Sequence, residues 1–444
     1  MKTNFFVVAA LAASALLASC DKDHTGTNPE EEGKPTTMNI SLNFPKAPQT
    51  RATADENATD AEANVQTVDV FIYYTSSGGF QSHTQLTAGQ LIQRQSSNNA
   101  DVYTTKEDVK IETTTGAKTV VAGINLPENL VKDLIDQPYS TLLTVAQTFD
   151  KRDELTKANN FVMFSKDAVH KVFKEDAKDN DVTLQCQRLV AKVTVETAAS
   201  MTQGGVPGTL GALTFAVNNF NKKLFLLQGE APLHKDPNWA SAEQHDANDY
   251  IEAKDGDYVS VLSRKNVPSP SIDQYEASYA AENTSEGKLQ KEISRVTVRS
   301  TFILDQITIF DGSDFVVINN PKKGTLETFY AVSPSSAEPT SYFTDESTAK
   351  SFVSKYGGNV LPYKDGVCYW TIFLNKIPEK PENKWDVLRN DFYKCNITRI
   401  IAPGRPGPEP PDPEEKPDDA EVNITADIEV MFWNTRPMTD YVLE

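Results

Sequence analysis

Two segments far apart in the chain alternate apolar and polar residues without a break. Met38-Asn39-Ile40-Ser41-Leu42-Asn43-Phe44 places Met38, Ile40, Leu42 and Phe44 on one face, the signature of a half-buried β-strand. Val422, Ile424, Ala426, Ile428, Val430 and Phe432 alternate with Asn423, Thr425, Asp427, Glu429 and Met431, a run that spans about 35 Å as a strand. Between them, Val68, Val70 and Ile72 alternate up to a Ser76-Ser77-Gly78-Gly79 turn, and Thr119 to Ile124 reads as a buried strand. Residues 182–196 alternate with a change of parity near Gln187, which predicts a bulge. Leu213, Phe215 and Val217, then Leu224 to Leu226, add strand character. Further strands are predicted at 293–310, 314–318, 328–332, 367–374 and 391–401. A helical interval is predicted from Ser140 to Ala158, with Leu142, Leu143, Val145, Ala146 and Phe149 on one face. Strands outnumber helices and turns recur at short spacing, so the expected fold is all-β with minor helices: two β-sandwich domains in series plus a C-terminal strand. No repeat of about 20–50 residues is evident, which sets aside a propeller or solenoid.

Composition shifts divide the chain. Residues 1–20 start with Lys2, continue through an apolar run from Phe5 to Leu17 and end in Leu17-Ala18-Ser19-Cys20, the layout of a secretory signal. A cysteine in that position resembles the lipobox of bacterial lipoproteins, which implies cutting before Cys20, acylation of its thiol and a lipid tether to a membrane. Residues 21–51 read as a propeptide containing the first strand. Arg51-Ala52 falls in a polar stretch of the kind proteases cut. The expected sandwiches cover 52–230 and 231–401, divided by the polar interval 229–290. Residues 402–420 hold seven of the 25 prolines in 19 residues and read as a stiff extended linker with a reach of roughly 60 Å. Residues 421–444 carry the terminal strand. Alone in water such a strand exposes an apolar stripe and an unpaired backbone, so it is expected to join a sheet.

Charge and chemistry narrow the function. Among the 444 residues, 43 Lys and Arg against 62 Asp and Glu give a net charge of −19, which argues against nucleic acid as a partner. Hydrophobic residues at 39% suffice for real cores. Cys20, Cys186, Cys368 and Cys395 fit neither a zinc site nor a dense disulfide framework; Cys368 and Cys395 read as free buried thiols or as neighbours on paired strands. His234 and His245 lie in a polar loop and read as solvated. No nucleophile, metal or nucleotide motif occurs, so no catalytic residue, metal site or cofactor is expected.

The two alternating strands suggest a mechanism. If Met38 to Phe44 complete a sandwich and are then cut away at Arg51, an open groove remains, and the strand at 422–432 of a neighbouring copy can fill it. Such a contact is head to tail, does not close, and yields a filament. The lipobox, the Arg51-Ala52 junction and the strand closing in Phe432-Trp433 resemble the fimbrillins of Bacteroidetes type V pili. So do Arg188-Leu189-Val190-Ala191-Lys192-Val193 and Val387-Leu388-Arg389-Asn390-Asp391-Phe392-Tyr393. The likeness is greatest to the major subunits of the short, or minor, fimbriae. The resemblance implies transthyretin-like sandwiches and a lipoprotein precursor anchored to the outer membrane through Cys20. It also implies an Arg-specific trypsin-like protease acting between Arg51 and Ala52, and polymerisation with other copies and related subunits into a cell-surface fimbria that supports adhesion. The competing reading is a surface glycan-binding lipoprotein that contacts sugar through Trp239 or Tyr250.

Overall fold

The first alternating segment folds as two short strands, β1 (Pro35–Met38) and β2 (Ile40–Phe44). The computed structural model describes residues 33–44, 58–95, 101–228, 236–238, 247–285, 288–334, 339–374, 385–416 and 424–433. Cys20, Arg51, Ala52, Val422, His234, His245 and Trp239 lie outside the described residues.

β2 lies inside a sheet, not at its rim. The sheet has nine strands, with β3 (Asp101–Thr105) on one side of β2 and β5 (Val182–Arg188) on the other. β2 runs parallel to β5, with Leu42 opposite Leu184, and antiparallel to β3, with Ser41 opposite Thr104. β1 pairs antiparallel with β4 (Ile111–Thr114). Beyond β5 the order continues through Met163–Ser165, Gly116–Ile124, Thr67–Tyr74 and Phe80–Thr87. Thr67–Tyr74 is buried along almost its whole length, as its nearly continuous apolar sequence requires. Val70, Phe71, Val120, Ile124, Phe164 and Leu184 pack with Met38, Ile40, Leu42 and Phe44 into a first hydrophobic core.

The parity change near Gln187 is not a bulge. There the chain leaves one core for the other: β5 ends at Arg188, and β6 (Val190–Gln203) begins with Val190 in the first core and Ala191 in the second. Strand alternation explains this, because successive side chains of β6 point to opposite sides and both sides are covered. The change of core therefore comes at 190–191, well before the boundary expected at 231. Phe220, Leu224, Ile272 and Tyr275, from segments on either side of that boundary, return to the first core.

Around the second core, β6 pairs parallel with β7 (Asp391–Ile400), which in turn carries β8 (Ile424–Phe432) antiparallel. A second five-stranded sheet, centred on Arg295–Leu304 and including Thr214–Asn218 and Val367–Phe373, supplies Val217, Val296, Val298 and Trp370 to the same core. Cys368 and Cys395 are buried there as free thiols, as is Cys186 in the first core, and burial pushes all three up to about 12. No group of three or more His, Cys, Asp or Glu side chains is arranged to hold a metal among the described residues.

Two local expectations fail. The interval 140–158 is not one helix but two single turns, Thr141–Thr144 and Asp153–Thr156, separated by Gln147–Thr148, which pairs with Lys223–Leu224. Phe149 donates its N–H to the Lys222 carbonyl at 2.9 Å, so tertiary pairing overrides the helical period. Conversely, Glu346–Tyr356 is a helix that hydrophobic periodicity did not reveal. Its signal lies in its ends: Asp345 accepts from the Thr348 N–H at 2.7 Å, and Gly357 stops it at a φ of 74°.

Candidate functional site

The removable-strand residues of the sequence reading, Met38, Ile40, Leu42 and Phe44, are 0, 1, 0 and 4% exposed. Neighbouring residues anchor the same segment by polar contacts. Asn180 donates through Nδ2 to Thr36 Oγ1 and to the Thr37 carbonyl, both at 3.1 Å. Asn39 donates to Asp181 Oδ1 at 2.9 Å and accepts from Lys110 Nζ at 3.1 Å. A strand held on both edges cannot leave without baring two rows of backbone donors and acceptors. Residues 45–57, which include Arg51 and Ala52, follow it directly.

The tail strand lies in a sheet of its own chain, whereas the sequence reading had it fill the groove of a neighbouring copy. β8 pairs along the whole of β7, from Asp391 opposite Phe432 to Ile400 opposite Ile424. The reason is that β7 has one edge left free by β6, and an exposed edge recruits any strand that can reach it. β8 is the last strand of that sheet, so its own outer edge pairs with no described strand. Ile424 is buried at 4% exposure, whereas Ala426 and Ile428 are only partly covered.

The described part of the proline-rich segment, residues 402–416, does not stand off as a free spacer. Arg405 and Tyr369 exchange backbone hydrogen bonds, Gln290 donates to the Glu415 carbonyl at 2.9 Å, and Tyr363 donates to the Gly404 carbonyl at 2.6 Å. A polyproline chain keeps its carbonyls free as acceptors, and here the second core's surface supplies donors to them.

The last described residue of the tail, Trp433, lies in a buried box that the sequence reading missed. Trp433 is 1% exposed; its ring stacks on Tyr279 at 5.9 Å between centroids and meets Phe161 edge-on at 6.0 Å. The Arg188 guanidinium lies 4.2 Å from the ring centroid and donates to the Trp433 carbonyl at 3.3 Å. Arg188 also donates through Nε to the Glu62 carbonyl at 3.1 Å, and the Trp433 backbone N–H donates to the Asn390 carbonyl at 3.0 Å. The two short motifs starting at Arg188 and Val387 therefore meet at the tail. Lys192 Nζ lies 2.9 Å from Glu62 Oε2, and the Tyr279 hydroxyl donates to Glu62 Oε1 at 2.7 Å. Burial pushes the Glu62 carboxyl up, but Lys192, the Thr59 N–H and the Tyr279 hydroxyl together hold it below its ordinary range. Glu62 belongs to the turn Asp60–Ala63, the first element described after the Arg51-Ala52 junction. Arg188 thus joins the turn Asp60–Ala63 to the tail.

Asp391, where β7 meets the end of β8, is strained electrostatically. Burial pushes its carboxyl up to about 7, against a weak opposing hydrogen bond from the Tyr393 hydroxyl. An acid whose folded value lies above its unfolded one opposes folding when ionised. The penalty is fully present above about pH 7 and disappears as pH falls toward about 4. Asp391→Asn is therefore expected to raise the thermal midpoint at about pH 8 and to change it little at about pH 5, as read by differential scanning calorimetry.

Tyr250, a candidate sugar contact, is 7% exposed and covered by the Lys288 ammonium. It is unable to present a face to a glycan.

Two family models match complementary parts of the chain: residues 36–210 match "Major fimbrial subunit protein (FimA)", and residues 362–438 match "Major fimbrial subunit protein type IV, Fimbrillin, C-terminal". No curated protein sequence matches the chain. Among solved structures, a fimbrilin from Porphyromonas gingivalis W83 aligns at 11% identity and a TM-score of 0.49, covering 90% of this chain and 98% of its own. The C-terminally truncated tip fimbrial protein of Porphyromonas gingivalis aligns at 14% identity and a TM-score of 0.38, covering 90% and 100%. A fimbrial assembly protein from Parabacteroides distasonis aligns at 10% identity and 0.37, covering 90% and 98%. The first family match begins at β1 and runs through β6, and the second takes in β7, the proline-rich segment and β8. The two matches lie in separate parts of the chain and both make it similar to major fimbrial subunit proteins; the chain is a structural subunit of a fimbria.

Proposed function

We propose that the subunit polymerises by exchanging one strand between copies after a proteolytic cut. The observation that carries this reading is the position of β2, enclosed by β3 and β5 and followed directly by the segment containing Arg51. A trypsin-like, Arg-specific protease cutting between Arg51 and Ala52 leaves β1 and β2 attached by non-covalent contacts alone. Their departure opens a groove lined by Tyr103, Val182 and Leu184. The tail of a second copy fills it.

The docked tail is the stored form of the donor. On β7 it pairs along one edge and leaves Ala426 and Ile428 partly exposed, whereas the groove offers two edges and sites that are at most 4% exposed. Each additional aliphatic side chain fully buried contributes ~1.5–3 kcal/mol, so exchange into the groove is favourable by a few such increments. Before the cut, the precursor is tethered to the outer membrane by acyl chains on Cys20. Afterwards the subunit, built as two sandwich units around the two cores, is held in the fimbria by its neighbours.

Full-length precursor treated with trypsin should lose residues 1–51 and form ladders that survive SDS. Arg51→Ala should lower ladder formation at least tenfold while leaving the thermal midpoint unchanged. A monomeric cleavage product with an intact fold refutes the exchange and favours a monomeric surface lipoprotein.

A further inference from the structure

Strand exchange as proposed leaves the register of the incoming tail undetermined. Three alignments keep apolar residues inward, setting Val422, Ile424 or Ala426 at the Met38 site. Each puts Ala426 into one of the four buried sites, so the small residue does not choose among them.

The outward face does choose. Asn39 is gripped from both sides, its Oδ1 by Lys110 Nζ at 3.1 Å and its Nδ2 by Asp181 Oδ1 at 2.9 Å. Lys110 follows β3 in sequence and Asp181 precedes β5, so both stay with the mature chain when Asn39 leaves. A carboxylate in this place satisfies the lysine but opposes Asp181. A threonine hydroxyl is too short to span both. A carboxamide alone offers an acceptor to the cation and a donor to the anion together. The tail's outward residues are Asn423, Thr425, Asp427, Glu429 and Met431, and Asn423 is the one amide among them.

We infer that Lys110 and Asp181 form an amide-reading clamp that fixes the register of a second copy's tail by receiving Asn423 in place of Asn39. Val422, Ile424, Ala426 and Ile428 then fill the sites of Met38, Ile40, Leu42 and Phe44, and isoleucine replaces isoleucine at the second of them. The rejected alignments bring Thr425 or Asp427 to the clamp. Both clamp residues are exposed, so the clamp selects among registers more than it adds affinity.

The test uses full-length proteins, with trypsin inhibited before mixing. The acceptor carries Thr104→Cys and is cleaved; the donor carries Arg51→Ala, which blocks its own cleavage, and one cysteine at 425, 427 or 429. Thr104 faces Ser41, the site that Thr425 takes in this register. Disulfide yield with Thr425→Cys should exceed that with Asp427→Cys or Glu429→Cys by roughly tenfold, because Cα atoms more than about 7 Å apart do not bridge. Adding Asn423→Asp to the donor should lower the yield several-fold, and Asp181→Asn in the acceptor should restore it. A higher yield at 427 or 429 overturns the register and leaves strand exchange standing. No donor–acceptor pair with any donor overturns strand exchange itself.

Discussion

Trp433→Ala is expected to release β8 from its own β7 and to destabilise the uncleaved protein by about 3–5 kcal/mol, the usual range for removing a large buried aromatic side chain. Trp433 closes the tail with a stacked ring, an edge-on ring and a guanidinium, and its backbone is held at both the N–H and the carbonyl. Without the indole, Arg188 faces a cavity, and β8 keeps one line of edge pairing and a half-covered apolar face. Amide hydrogen exchange across residues 424–432 should speed up by at least a hundredfold. Because the stored donor is then free, ladders should also appear sooner after cleavage. Unchanged exchange in β8 would show that edge pairing alone holds the tail.

Leu42→Ala is expected to separate the precursor from the assembled form. Leu42 is 0% exposed in the first core, so its truncation should cost the precursor about 2–5 kcal/mol in chemical denaturation. After cleavage at Arg51 the residue is gone, and filaments made from the variant should match those of the unaltered protein in resistance to heat and SDS. Leu184→Ala, in the strand that stays behind, should weaken both forms. Equal weakening of precursor and filament by Leu42→Ala would mean that the first strand never leaves.

Much of this was legible in the sequence because strands with one covered face write their period directly into it. The alternation at 38–44 appears as the end of β1 and the whole of β2, and that at 424–432 as β8. What stayed hidden was partnership. Nothing in the tail's sequence distinguishes joining its own β7 from joining another molecule, since both need the same apolar face and the same backbone edge. The parity change near Gln187 was visible, but a bulge and a passage between two cores leave the same mark. Glu62, Tyr279 and Trp433 come from three distant parts of the chain and meet only when the sheets are assembled. No local pattern announces such a box; Arg188 at the end of β5 and Lys192 in β6 are cations in otherwise apolar stretches, and only the assembled fold brings Glu62 to them. The proline-rich segment shows the opposite limit: composition indicates extended backbone, but not what that backbone lies against.

Strand exchange between copies is tested most directly by mixing subunits grown in light and heavy nitrogen, cleaving them together and cross-linking the filaments. Mass spectrometry then asks whether peptides from residues 421–432 are joined to peptides from β3 and β5 as light–heavy pairs. The account predicts that about half of these cross-links are mixed, as random intermolecular pairing requires. Cross-links from the tail that run only to β7 of the same isotope would contradict it.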